Sequence, residues 1–104
     1  MYNYKAFLVR VIDGDTVVLK LDLGFYLTRE AASYRLLRID APENNTDEGK
    51  KAKTALEVQL DGKQLIAWTQ KSDSFGRYLV ELYADNKNIS DWLVENNYAN
   101  YHTY

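Results

Sequence analysis

Along residues 16–23, Val17, Leu19, Leu21 and Leu23 fall on one parity, with Lys20 and Asp22 on the other. This period of two predicts a strand with one buried face. Residues 4–12 are rich in β-branched and aromatic side chains and run into Asp13-Gly14-Asp15, whose Asp-Gly pair signals a turn, so the chain opens as strand, turn, strand. Gly24 interrupts the alternation. A third strand is expected over about residues 31–40, ended by Pro42, which has no ladder donor.

At Thr46 the period changes. Thr46 is a candidate N-cap, Asp47 and Glu48 place negative charge in the first turn, and Ala52, Ala55, Leu56 and Leu60 recur at helical spacing, which predicts a helix over 47–60. Asp61-Gly62 ends it; a fourth strand is expected at 64–69 and a fifth at 77–84, after a polar loop containing Gly76. A second helix begins at the Asn88 cap and buries Ile89, Trp92 and Leu93, while residues 98–104 are aromatic and otherwise unpatterned. Three strands, a helix, two strands and a helix is the element order of a mainly β, α+β fold: a five-stranded oligonucleotide-binding (OB) Greek-key barrel with a helix between strands three and four and a C-terminal helix. Closure hides the edges of short antiparallel strands.

The 104 residues, without internal repeats, suit a single domain over 1–104. The absence of cysteine excludes disulfides, thiolate zinc sites and a cysteine nucleophile. No run of about 18 apolar residues exists and residues 1–10 lack a secretory pattern, so no membrane partner is expected; the chain reads as a monomer, cytoplasmic or phage-encoded, although a processed secreted chain would look the same. Thirteen basic residues against fifteen acidic ones argue against coating nucleic acid by bulk charge, so any phosphate binding is local.

Charge is concentrated at strand ends. Asp13 and Asp15 flank Gly14, and Asp40 and Glu43 flank Ala41-Pro42; paired strands would gather these carboxylates at one rim. Like charges at such distances need a cation or an arginine between them, and oxygen-only ligands favour Ca²⁺ or Mg²⁺ over zinc. Equally, Asp13 and Asp15 are ordinary turn residues, Asp40 can be turn chemistry and Glu43 can be solvated. Arg35 shares parity with Leu37 and Ile39 on an apolar face, so it must meet an anion there, either a rim carboxylate or a substrate phosphate. Arg38, on the other parity, is expected at a solvated edge. Arg77 follows Gly76 at the mouth of a strand, a position usually on the surface. His102, the only histidine, sits in the tail, which argues against a histidine triad or base. Lys50, Lys51 and Lys53 read as the solvated face of the first helix, and Tyr98, Tyr101 and Tyr104 either stack bases or complete the core.

Taken in order, "VIDGDTVVL", "YRLLRIDAPE", "FGRYLVELYAD" and "NISDWLVENNYA" resemble the staphylococcal nuclease (thermonuclease-like) family across nearly the whole chain. The resemblance implies an OB barrel and a Ca²⁺-dependent phosphodiesterase acting on DNA and RNA and leaving 3′-phosphates. It implies Asp15, Asp40 and the main-chain carbonyl of Ala41 as Ca²⁺ ligands, with Glu43 as general base and Arg35 and Arg77 gripping the scissile phosphate. Alanine at 41 keeps the carbonyl of a position that is often threonine. Phe75 stands where a base-contacting tyrosine is common, keeping the stacking face without the hydroxyl; with Tyr101 and Tyr104 it completes the expected substrate contacts. Against the best-known members, the loop after Glu43 is short, the second hairpin is long, Arg38 replaces a small or apolar residue, and the chain stops before their last helix. Two other readings remain beside the nuclease: a non-catalytic OB module binding single strands or a protein partner, and rim charges that pair only to stabilise the fold.

Overall fold

The computed structural model describes residues 2–70 and 78–102. The opening hairpin forms as the pattern requires: β1 (Tyr2–Asp13) pairs antiparallel with β2 (Thr16–Gly24) across Gly14-Asp15. Val17, Leu19 and Leu21 of β2 are buried, whereas Leu23, where the strand outruns the barrel, is exposed. β1 also pairs with β5 (Leu65–Gln70), through Tyr2 to Ala6. Irregularities between Leu8 and Arg10 and between Val11 and Asp13 bend it between its two partners, as bulges do at barrel corners.

The third strand departs from expectation. β3 runs Leu27–Leu36, not 31–40: it starts earlier because Phe25 and Tyr26, at φ 51° and 63° after Gly24 at φ 84°, make a tight turn that feeds straight back along β2. Such turns normally carry Asn-Gly, so two aromatics gave no sequence signal. It ends earlier because the chain turns at Leu37-Arg38, with Arg38 at φ 69°, before a short β4 (Ile39–Asp40). The long second hairpin is therefore a strand pair whose tip exposes Phe25, Tyr26 and Leu27.

Helix α1 (Asp47–Leu60) has the expected bounds: the Thr46 hydroxyl accepts from the Gly49 N–H at 3.0 Å, and the chain leaves through Gly62 at φ 68°. β6 (Tyr78–Ala84) pairs antiparallel with β5 and, through Tyr78 to Val80, parallel with β3. That parallel contact closes a five-stranded barrel of β1, β2, β3, β5 and β6. An Asp85-Asn86 turn adds the short β7 (Lys87–Asn88), and the Asn88 side chain caps α2 (Ile89–Glu95) by accepting from the Asp91 N–H at 3.0 Å. The core is continuous, filled by Leu19, Leu36 and Leu82 from strands and by Leu56, Ile89 and Leu93 from helices, each wholly buried and each stabilising by about 1.5–3 kcal/mol in transfer terms.

The tail, read as unpatterned, forms β8 (Asn100–Tyr101), which pairs antiparallel with β4: Ile39 faces Tyr101 and Asp40 faces Asn100. A two-residue bridge is too short to show a period. No helix among the described residues is long and apolar enough to cross a membrane.

Candidate active site at the barrel rim

The β1–β2 turn sets the first carboxylate. Asp13 Oδ1 accepts from the Asp15 N–H at 3.1 Å, an Asx turn that aims Asp15 across the rim. Asp15 then accepts from the Thr16 hydroxyl at 3.2 Å and, through Oδ2, from the Ala41 N–H at 2.9 Å. Asp13 thus makes the aspartate turn expected of it, and that turn carries Asp15.

Arg35 comes from β3, opposite Thr16, and is 7% exposed. Its Nη1 lies 3.1 Å from Asp15 Oδ2 and donates to the Leu36 carbonyl at 3.3 Å; its Nη2 donates to Asp40 Oδ1. One buried guanidinium therefore spans the two carboxylates, meeting the sequence requirement that Arg35 face an anion. Positive charge is still in short supply at Asp15. Burial first, and Asp13 beside it second, push its carboxyl up to about 6 from 3.8. Asp13 itself, although burial opposes ionisation, is held below its ordinary value by hydrogen bonding from Asp15.

Close packing supports the floor. A Cβ on Gly14 would stand 2.7 Å from the Ala41 Cβ and 2.8 Å from the Ala52 Cβ, so Gly14 lets the β1–β2 turn, the residue after Asp40 and helix α1 meet. A Cβ on Gly49 would stand 1.8 Å from the Glu43 carbonyl oxygen. That carbonyl also accepts from the Thr46 N–H at 3.0 Å and hydroxyl at 2.7 Å, so the backbone of Glu43 is pinned to the start of α1 while its side chain is exposed.

The turn that presents Asp40 is fastened from a third direction. The Ser90 hydroxyl, buried, donates to the Leu37 carbonyl at 2.9 Å, and the His102 N–H donates to the Arg38 carbonyl at 2.7 Å. Arg38 is part-exposed at the strand end, as expected, but its guanidinium is engaged. Its Nε donates to Glu81 at 2.9 Å and its Nη1 to Asp91 at 3.0 Å, while Nη2 reaches Asn88 at 3.3 Å. The guanidinium holds the Asp91 carboxyl below its ordinary value. Partners this far away in sequence leave no local signal. The Tyr101 hydroxyl donates to the same Asp91 at 2.8 Å, with the exposed ring face 5.9 Å from the Arg38 guanidinium. His102, discounted from sequence, reaches the rim: its Nδ1 lies 3.2 Å from Asp40 Oδ2.

Of the residues expected at the site, Asp15, Arg35, Asp40 and Ala41 converge, Glu43 follows on the adjoining segment, and Tyr101 lies on the bridge beside Ile39. Arg77, Phe75 and Tyr104 lie outside the described residues. Among the described residues no three His, Cys, Asp or Glu side chains form a metal cage by themselves. A cation here would draw on two carboxylates, a main-chain carbonyl and water. That hard, all-oxygen set suits Ca²⁺ or Mg²⁺, and the proton-hungry Asp15 fits a site wanting more positive charge.

The chain resembles several known proteins. The chain is 34% identical over 87 residues to a protein of Escherichia coli named "Uncharacterized endonuclease", covering 83% of this chain and 53% of that one. It is 35% identical over 65 residues to "Probable staphylococcal-like nuclease CAN2" of Oryza sativa subsp. japonica, covering 62% of this chain and 18% of that one. With "Endonuclease YhcR" of Bacillus subtilis (strain 168) it shares 31% identity over 107 residues, 93% of this chain but 9% of the relative. The chain thus spans about half the length of the Escherichia coli relative and far less of the others. The family model described as "Staphylococcal nuclease homologue" matches residues 33–104, which carry Arg35, Asp40, Ala41 and the bridging tail. A closed β-barrel with an arginine spanning two rim carboxylates is thus joined to a family match over most of its length, and the chain belongs to the staphylococcal nuclease homologue family.

Proposed function

We propose that this chain is a Ca²⁺-dependent nuclease that hydrolyses phosphodiester bonds of DNA or RNA and leaves 3′-phosphates. The observation that carries the reading is the buried Arg35 guanidinium gathering Asp15 and Asp40 at one rim, a concentration of charged groups of the kind that active sites hold. Asp15, Asp40 and the Ala41 carbonyl would hold the ion, which when bound supplies fixed positive charge against the phosphate oxygens.

The remaining work falls to the chain's own groups. Arg35 and Arg77 bind the non-bridging oxygens, for which Arg35 exchanges at least one carboxylate contact for a phosphate contact. Glu43 accepts a proton from the attacking water as its oxygen bonds to phosphorus, and the bond from phosphorus to the 5′ oxygen breaks, that oxygen taking a proton from solvent water as it leaves. The hold of the Thr46 N–H and hydroxyl on the Glu43 carbonyl, which fixes the backbone just beyond Asp40 and Ala41, supports this role.

Cleavage of single-stranded DNA and RNA, followed with and without Ca²⁺, tests this reading. EDTA should abolish cleavage and excess Ca²⁺ restore it; cleavage indifferent to EDTA would sink the metal reading, and binding without cleavage in millimolar Ca²⁺ would favour a non-catalytic module. Glu43→Gln should lower turnover by roughly 10²- to 10⁴-fold. Because the Glu43 side chain is exposed, its melting temperature should stay within about a degree or two of wild type. Unchanged turnover would remove Glu43 from the mechanism.

A further inference from the structure

Asp40 sits on a two-residue strand just after a turn, and its side chain is 52% exposed. A carboxylate so placed has several rotamers open to it, and fixing one carries an entropy cost that weakens any ligand it must hold. Oδ1 accepts from Arg35. In the reaction proposed above Arg35 turns toward a phosphate, so this hold on Asp40 is loosened when orientation matters most.

The other oxygen is held from the tail. His102 Nδ1 lies 3.2 Å from Asp40 Oδ2. The ring is not a stray surface group: the His102 N–H donates to the Arg38 carbonyl at 2.7 Å, and Asn100 and Tyr101 pair with Asp40 and Ile39, so the backbone that carries the imidazole is tied along the turn and strand that carry Asp40. A neutral imidazole with its proton on Nδ1 is enough to donate to Oδ2, and it leaves the opposite oxygen for a cation.

We propose that His102 is a positioning residue of the rim, fixing the Asp40 carboxylate through Oδ2 so that Asp40 keeps its place when Arg35 engages the phosphate; this rests on the Ca²⁺ reading above. The role is the reverse of the familiar pairing in which a carboxylate orients a metal-binding histidine, here with the imidazole as orienter and the carboxylate as ligand. It gives the bridge formed by β4 and β8 a purpose beyond stability.

The test is the Ca²⁺ concentration that half-saturates the rise in melting temperature, measured for wild type, His102→Ala and His102→Asn. Asparagine places an N–H donor where the ring carries Nδ1. His102→Ala should need about tenfold more Ca²⁺, the size of effect typical of outer groups that orient metal ligands, and His102→Asn should return to within about threefold of wild type. In EDTA all three should melt within about two degrees of one another, since the His102 side chain is 46% exposed. Equal Ca²⁺ requirements for wild type and His102→Ala would overturn the positioning role and leave the Ca²⁺ reading standing. Failure of His102→Asn to rescue, or weakening that tracks an equal loss of stability in EDTA, would overturn it too. A wild type with no Ca²⁺ response overturns the Ca²⁺ reading itself, and this role with it.

Discussion

Asp15→Asn should cost about a thousandfold in Ca²⁺-dependent cleavage and yet raise the melting temperature of the protein in EDTA at pH 7.5 by several degrees. The loss follows from removing one of two carboxylates that would hold the ion and part of its charge at the rim, an effect of roughly 4 kcal/mol in the transition state. The gain follows from burial: Asp15 is crowded by Asp13 and desolvated, and its carboxyl stands at about 6 in the folded chain against 3.8 when free. A folded-state value above the unfolded one means that the folded chain binds the extra proton between about pH 4 and 6, so the contribution of Asp15 to stability falls as pH rises through that window. Above it, the charge destabilises by an amount on the order of 1–3 kcal/mol, a net effect that already includes the opposing pull of Arg35. Asparagine keeps an acceptor for the Ala41 N–H and carries no charge. Its advantage should therefore grow between about pH 4 and 6, be complete above pH 6, vanish below pH 4, and reverse when Ca²⁺ stabilises the wild type alone. A variant that melts below wild type in EDTA at pH 7.5 would show the rim charges to be structural.

Gly49→Ala should do the opposite of what helix propensity suggests. Alanine in place of glycine favours a helix by up to about 1 kcal/mol. The added methyl carbon, however, would fall 1.8 Å from the Glu43 carbonyl oxygen and 2.5 Å from its carbon. Both are backbone atoms, so relief requires moving the turn from Glu43 to Thr46 by more than an ångström or shifting the first turn of α1. We expect a destabilisation of about 3 kcal/mol, read as a lower urea midpoint. Cleavage should fall about 100-fold on top of any unfolding, because displacement on this scale of the segment carrying Glu43, the proposed general base, is costly. A Gly49→Ala protein with wild-type midpoint and turnover would mean that the approach of Glu43 to α1 does not position the site.

Those two residues mark where the sequence was informative and where it was not. The carboxylates, Arg35 and the bounds of α1 could be read because each leaves a local trace: a turn dipeptide, a charge on an apolar parity, a cap followed by helical spacing. Gly49 left a fainter one, a glycine in the first turn of a helix, which propensity disfavours and which usually has a packing reason. The early start of β3 was hidden because Phe25 and Tyr26 occupy turn positions that ordinarily belong to asparagine and glycine. The contacts of Arg38 and His102 were hidden for a different reason. Their partners, Glu81, Asp91 and Asp40, are distant in sequence, and no pattern within a window reports a contact made by topology.

The parallel contact between β3 and β6, together with the bridge from β8 to β4, has a consequence for the order in which the molecule is made. A nascent chain that has emerged as far as α1 already carries Asp15, Arg35, Asp40 and Glu43. It has no β6 to close the barrel and no tail to clasp β4. Pairings between such remote segments are slow to find, because the loops between them must be closed first. Synthesis therefore separates the presence of the rim side chains from their assembly, and the rim takes its final shape only when β8 has been delivered.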